Sequence, residues 1–329
     1  MRPALRLVLL AAALAAALLL AVRVGAVPLT AREIVDAVRG IGDPTTVAIV
    51  RRLRLPRSLL AALVGGALAA SGAVFQALLR NPLADPYVMG VAGGAAVGAV
   101  VAVAAGGLAA SAAPVSVAAF AGAVLAVLLV FRIAASAGRA LDTRVLLLAG
   151  VVAGSFFNAV ILLTLTFADA DSFRSAIFWM MGSFAGATWR GDALLAAYLV
   201  PGLGLLFALA RPLNLLSVGE ETAAYLGTRV ERTKLLAYTA ASLVTAAAVA
   251  ASGVIGFVGL VIPHVVRLLW GGDHRFLLPA SVLLGATFVV LADALARVAA
   301  APTELPVGVV TAFVGVPFFV WLLRRRSAA

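Results

Sequence analysis

Few residues in this chain could do chemistry. His264 and His274 stand ten positions apart, and Asp293 and Arg297 stand four apart within an apolar run. There is no cysteine and no HExxH pattern, so the histidines lack metal-site company and read as polar residues at a membrane boundary. Asp293 and Arg297, at i and i+4, meet on one face of a helix as an ion pair. The densest charge lies in Ser217 to Lys234, SVGEETAAYLGTRVERTK, which carries Glu220, Glu221, Arg229, Glu231, Arg232 and Lys234. No GxxxxGK[ST] phosphate loop occurs, so ATP is not held in that manner. No acidic pair sits mid-span, as a proton or sodium relay would need. An ion-coupled secondary transporter, the alternative considered, is therefore poorly supported. A membrane-embedded enzyme lacks a catalytic constellation.

The elements that position these residues follow from composition. Of 329 residues, 64% are hydrophobic and 12% charged, with mean hydropathy +1.13. Soluble domains carry about twice that charged fraction. Repeated apolar runs near the length of a bilayer crossing give an all-α polytopic membrane protein with about ten transmembrane helices, in a single domain over 1–329. Alternating barrel strands are absent. The net charge of +11 is spread over loops without a basic helix interleaved with aromatics, which argues against nucleic acid. Without cysteine there are no disulfides, thiolate metal sites or Cys nucleophiles.

The expected spans are 7–22, 57–79, 88–108, 114–133, 145–167, 193–210, 235–253, a short eighth after a break inside 253–269, 277–298 and 307–323. The first is read as a retained span, with a signal peptide cleaved near 24–26 as the other reading. Residues 23–56 form a polar connection, and Arg80 to Pro86 a turn punctuated by two prolines. Gly90, Gly94 and Gly98 give overlapping GxxxG spacings, either a close-packing face or small filler. Residues 169–190 form an amphipathic, aromatic-rich connection whose Trp179 and Trp189 suit an interface. The break follows from Gly253, Gly256, Gly259 and Pro263. The island is a cytoplasmic docking helix or a solvated loop. Ala223 to Leu226 favour helix, with Gly227 as C-cap and hinge. An even number of spans puts both termini on one side, and more Arg and Lys fall inside than outside if that side is the cytoplasm. The exception is the first outer connection, with Arg23, Arg32, Arg39, Arg51, Arg52, Arg54 and Arg57.

Ordered motifs then narrow the reading. Arg54-Leu55-Pro56-Arg57, Ser71-Gly72-Ala73 with Gln76, and Arg80-Asn81-Pro82-Leu83-Ala84 are followed by Pro86 and Gly90. Near the C-terminus come Gly256 to Leu260 with Pro263, His264 and Arg267, then Asp273-His274-Arg275, Leu278-Pro279, Ala292-Asp293 with Arg297, and Glu304 to Gly308 with Thr311. In order and spacing this resembles the permease subunits of iron-chelate (siderophore or haem) and vitamin B12 ABC importers, of type II, over nearly the whole chain. The resemblance implies a homodimer in the cytoplasmic (inner) membrane of a bacterium or archaeon, two cytoplasmic ATPase subunits and an extracytoplasmic substrate-binding protein. This chain would be a transport subunit and not an enzyme. It would bind no cofactor itself, ATP and Mg residing on the ATPase. Gly219, Glu220, Ala224, Leu226 and Gly227 would form the ATPase-coupling surface. Arg54, Arg57 and Arg297 would receive acidic residues of the binding protein. Asn158, Arg174 and Trp179 would border a weakly binding path worked by alternating access. The motifs do not separate siderophore, haem and cobalamin, and an iron chelate is favoured on family breadth.

Overall fold

The structure is a computed structural model that describes residues 3–25, 27–106, 112–136 and 142–327. Arg2, Ala26, Leu108 and Arg139, used in the reading of the sequence, lie outside them. Among the described residues the secondary structure is helical throughout. Seven helices are long and apolar enough to cross a membrane, and three shorter apolar ones complete a ten-span bundle.

The chain opens with α1 (Pro3–Arg23). The polar connection after it is folded into helices that were not read from the sequence. Thr30 caps α2 (Ala31–Arg39) through the N–H of Glu33, whose carboxylate reaches back to the Thr30 N–H, a reciprocal capping box. Gly40, in the left-handed region at φ +82°, ends it. Asp43 then caps α3 (Pro44–Ala48), with Pro44 in the first turn where its missing N–H costs nothing. A π-helical stretch, Ile49–Arg54, joins α3 to α4 (Leu55–Leu78) without a break. The helix that carries the second span therefore starts at Pro44, 13 residues before the expected span.

α4 is the axis of the bundle. Its residues from Val64 to Ala77 are all buried. Small residues make that possible in hydrocarbon, where helices associate by close backbone approach. A Cβ on Gly65 would stand 2.3 Å from the Gly285 carbonyl, and one on Gly72 would stand 2.0 Å from that of Gly259. The turn after α4 ends in a 3-10 segment, Pro86–Met89, capped by Asp85. Gly90 lies at φ +77° and ends that segment, so the third span starts as α5 at Val91 (Val91–Ala104). The other two members of the GxxxG series do pack. Gly94 and Gly98 press against Gly122 and Ala118 of α6 (Ala112–Ser136).

Next come α7 (Thr143–Thr166), the short α8 (Ala170–Met180) and α9 (Trp189–Ala208). α10 (Ala210–Val218) and α11 (Glu220–Tyr225) form the island, leading into α12 (Val230–Ser252). The expected break follows, with Gly253 at φ +73°, before α13 (Val258–Trp270). α14 (His274–Ala296) and α15 (Val307–Ser327) close the bundle. Three chain breaks are tied together by backbone hydrogen bonds. The Ser183 N–H donates to the Ser252 carbonyl, and the N–H groups of Val307 and Gly308 donate to the carbonyls of Gly182 and Met181.

Candidate functional site

The bundle gathers its charged groups at two opposite ends. At one end, the island folds as the helical pair α10–α11. Gly219, at φ +151°, makes the corner between them. Glu220 and Glu221 occupy the first turn of α11, where the helix dipole favours anions. Gly227, at φ +81°, follows the last turn, and its N–H and that of Thr228 satisfy the carbonyls of Ala224 and Ala223. The helical reading of the island and the terminating role of Gly227 both hold.

Only one side of α11 is engaged by the rest of the chain. Ala223 is fully buried, while Ala224, Tyr225, Leu226 and Gly227 are exposed, Tyr225 to 91%. Glu220 meets the Lys234 ammonium at 3.1 Å and Arg80 at 3.9 Å. That links the island to the turn after α4 and to the start of α12. Asn214 makes the other link. Its amide donates to Asp273 Oδ1 at 2.7 Å and its oxygen accepts from the His274 N–H at 2.8 Å. The Asp273 carboxyl lies below its usual range, chiefly because it accepts the Arg275 N–H and next because of the Asn214 amide. Deeper in the same end, Gln76 donates to the Gly259 and Leu260 carbonyls and accepts from Arg267. Asn214 was not singled out from the sequence. A lone amide in the middle of a short amphipathic helix carries no pattern of its own. Among the described residues no three His, Asp or Glu side chains are grouped to hold a metal ion.

The opposite end carries the arginines, and two of the three expected to receive the binding protein are buried within the chain. Arg54 and Arg297 are buried, at 6% and 7% exposure. Arg54 donates to the carbonyls of Val22, Arg23 and Val27. Arg297 donates to those of Ala21 and Val24. Carbonyls freed where α1 ends supply the acceptors that a buried guanidinium needs. Arg57 donates to both Asp293 oxygens at 3.0 and 3.2 Å and to Glu304 at 2.8 Å. The Asp293–Arg297 pair expected from the i, i+4 spacing is present at 3.2 Å. Asp293, buried to 1%, thus serves two arginines, and the cluster locks α1, α4, α14 and the loop before α15 together. Cations that do face outward at this end include Arg23, Arg32, Arg39, Arg51 and Arg52. Trp189 Nε1 donates to the Arg51 carbonyl, tying α9 to this end.

The three path residues differ in exposure. Asn158 is exposed on α7 and Arg174 on α8, whereas Trp179 is half-buried with its carbonyl against Gly253. α7 carries Val151, Val152, Phe156, Leu162 and Leu163 on the same open side as Asn158.

With this geometry in view, comparison with known proteins is direct. Residues 13–325 match the FecCD transport family. The chain is 46% identical over 287 residues to the cobalamin import system permease protein BtuC of Halobacterium salinarum, covering 87% of this chain and 76% of that protein. It is 41% identical over 285 residues to the vitamin B12 import system permease protein BtuC of Escherichia coli, covering 87% and 86%. A Bacillus subtilis ABC transporter permease protein, YvrB, is 44% identical over 291 residues, covering 87% and 82%. Among solved structures, an inward-facing conformation of a metal-chelate type ABC transporter superposes with a TM-score of 0.87 at 33% identity, covering 97% and 98%. These relatives are membrane transport subunits, and ATP hydrolysis belongs to a separate subunit. The chain is a permease of the ABC type and belongs to the FecCD transport family.

Proposed function

We propose that this chain carries a cobalt corrinoid, cobalamin, across the cytoplasmic membrane as the permease half of an ABC importer. The observation that carries the substrate is the similarity to permeases named for cobalamin and vitamin B12 along nearly nine-tenths of the chain. An iron chelate is the second reading, favoured by the metal-chelate description of the solved neighbour. An ion-coupled mechanism has no support in the family.

In this reading two copies pair across a two-fold axis, both termini lie in the cytoplasm, and the path runs between the copies. The open side of α7, with Asn158, and Arg174 on α8 are assigned to that path, with Trp179 behind them. Two ATPase subunits, holding ATP and Mg, dock on the exposed side of α11, at Ala224, Leu226 and Gly227. Gly219 and Glu220 anchor that helix from within. A binding protein docks on the arginine end. Of Arg54, Arg57 and Arg297, Arg57 is the one a partner can reach, because its own partner Glu304 is half exposed and a carboxylate of the binding protein can take its place. Arg54 and Arg297 set the height of that surface from beneath. The test is uptake of labelled cobalamin, haem and ferric siderophore in paired cells with and without the gene. Loss of cobalamin uptake alone is expected. Loss of haem or siderophore uptake alone overturns the substrate. Unchanged uptake of all three, with the ATPase partner expressed, overturns the assignment.

A further inference from the structure

The helix from Pro44 to Leu78 runs without interruption for 35 residues. At 1.5 Å per residue that is about 50 Å, against a hydrocarbon core of about 30 Å. Leu78 lies at the island end, two residues before the turn residue Arg80 that meets Glu220. Counting back about 20 residues reaches the other hydrocarbon edge near residue 58. Arg51, Arg52 and Leu53 then lie one to two turns beyond it, within side-chain reach of the lipid headgroups. Trp189 marks the same depth independently. Its indole donates to the Arg51 carbonyl at 2.7 Å and half of it is exposed, the placement of an interfacial tryptophan.

The surface at that depth is apolar and cationic together. Val38, Ile41 and Leu53 are exposed at 48%, 59% and 60%. The Arg51 guanidinium lies beside Gly40, at the end of α2 next to Arg39. Neighbouring acids are already engaged: Glu33 with Thr30, Asp36 with Arg32, and Asp43 with Thr46. Among the described residues, Arg39, Arg51 and Arg52 meet no carboxylate. Apolar side chains beside unpaired arginines at headgroup depth match an anionic lipid surface.

We propose that Arg51 and Arg52, with Arg39 beside them, bind the phosphodiester of an anionic phospholipid, and that Val38, Ile41 and Leu53 rest against its acyl boundary. The probe is spin-labelled phosphatidylglycerol, compared with spin-labelled phosphatidylcholine, around the full chain with its ATPase subunits in nanodiscs. The intact protein should hold phosphatidylglycerol preferentially. R51Q/R52Q should lose that preference by about 5-fold per arginine. R51K/R52K should retain most of it, which separates charge from folding. Equal preference in the intact protein and R51Q/R52Q overturns the proposal. So does loss of binding-protein affinity in R51Q/R52Q with lipid preference unchanged, which would give these arginines to a protein partner.

Discussion

Replacing Gly72 by Ala tests how tightly the bundle is built around α4. The added Cβ would stand 2.0 Å from the Gly259 carbonyl oxygen, where ordinary contact begins at 3.4 Å. The obstacle is backbone at the start of α13, so no side chain can swing aside. α4 and α13 must separate by about 1.4 Å. The Gln76 amide sits one turn further along α4 and reaches Gly259 and Leu260 at 3.3 and 3.1 Å. Both bonds would open, and with them the Arg267 link. Overpacking costs about 1–3 kcal/mol and the three lost hydrogen bonds about 1 kcal/mol each, so roughly 4–6 kcal/mol in all. That corresponds to a fall in apparent Tm of roughly 8–24 °C. The assay is the fraction of monodisperse protein surviving a temperature series in mild detergent. Gly204→Ala is the control, because a Cβ there meets nothing within 4 Å and alanine suits a helix interior better. Equal melting of G72A and G204A would refute the close-approach argument.

Other perturbations have equally definite outcomes. Asp293→Ala leaves Arg57 and Arg297 without their shared counter-charge and should cost about 3–5 kcal/mol, seen as poor recovery of folded protein; a variant as stable as the parent would show the cluster is incidental. Burial raises the half-buried Asp85 carboxyl to about 6, opposed by the Tyr87 N–H it accepts. A carboxyl raised above its unfolded value favours folding below about pH 4 and loses that contribution as pH rises through 6. Asp85→Asn keeps the acceptor without the charge. It should match the parent near pH 4 and melt higher at pH 8, and the reverse order would count against it. Leu226→Asp should leave the chain's own melting unchanged, since that side chain is 63% exposed, while ATPase co-purification falls at least tenfold. Full retention of the ATPase would reduce α11 to a connector.

The spans were legible because apolar length is a direct signature of a bilayer crossing, and the breaks were legible because Gly253 and Pro86 punctuate it. The folded connection after α1 was not read as helix, because hydropathy averaging sees only polarity there. The local signal existed in Thr30 with Glu33 and in Asp43-Pro44, two helix starts a few residues apart. The i, i+4 pair Asp293–Arg297 could be read from spacing. Its sharing with Arg57 could not, because the two residues lie 236 positions apart in the chain. Motif position alone likewise cannot say whether an arginine points to solvent or to the frayed end of a neighbouring helix. That difference separates Arg51 from Arg54, three residues on, where a π-helical turn has shifted the register.

The sheathing of α4 also has a history in time. The helix enters the bilayer early in synthesis, yet α12, α13 and α14, which cover it, are made much later. Arg57 precedes Asp293 by 236 residues, which at 5–20 residues per second is about 12–47 s of elongation. For that interval Arg57, and for a somewhat shorter one Gln76, must face lipid, water or the insertion machinery without their final partners. The most protected helix of the finished protein is thus the most vulnerable one during its manufacture, and quality control acting on this chain has its widest window there.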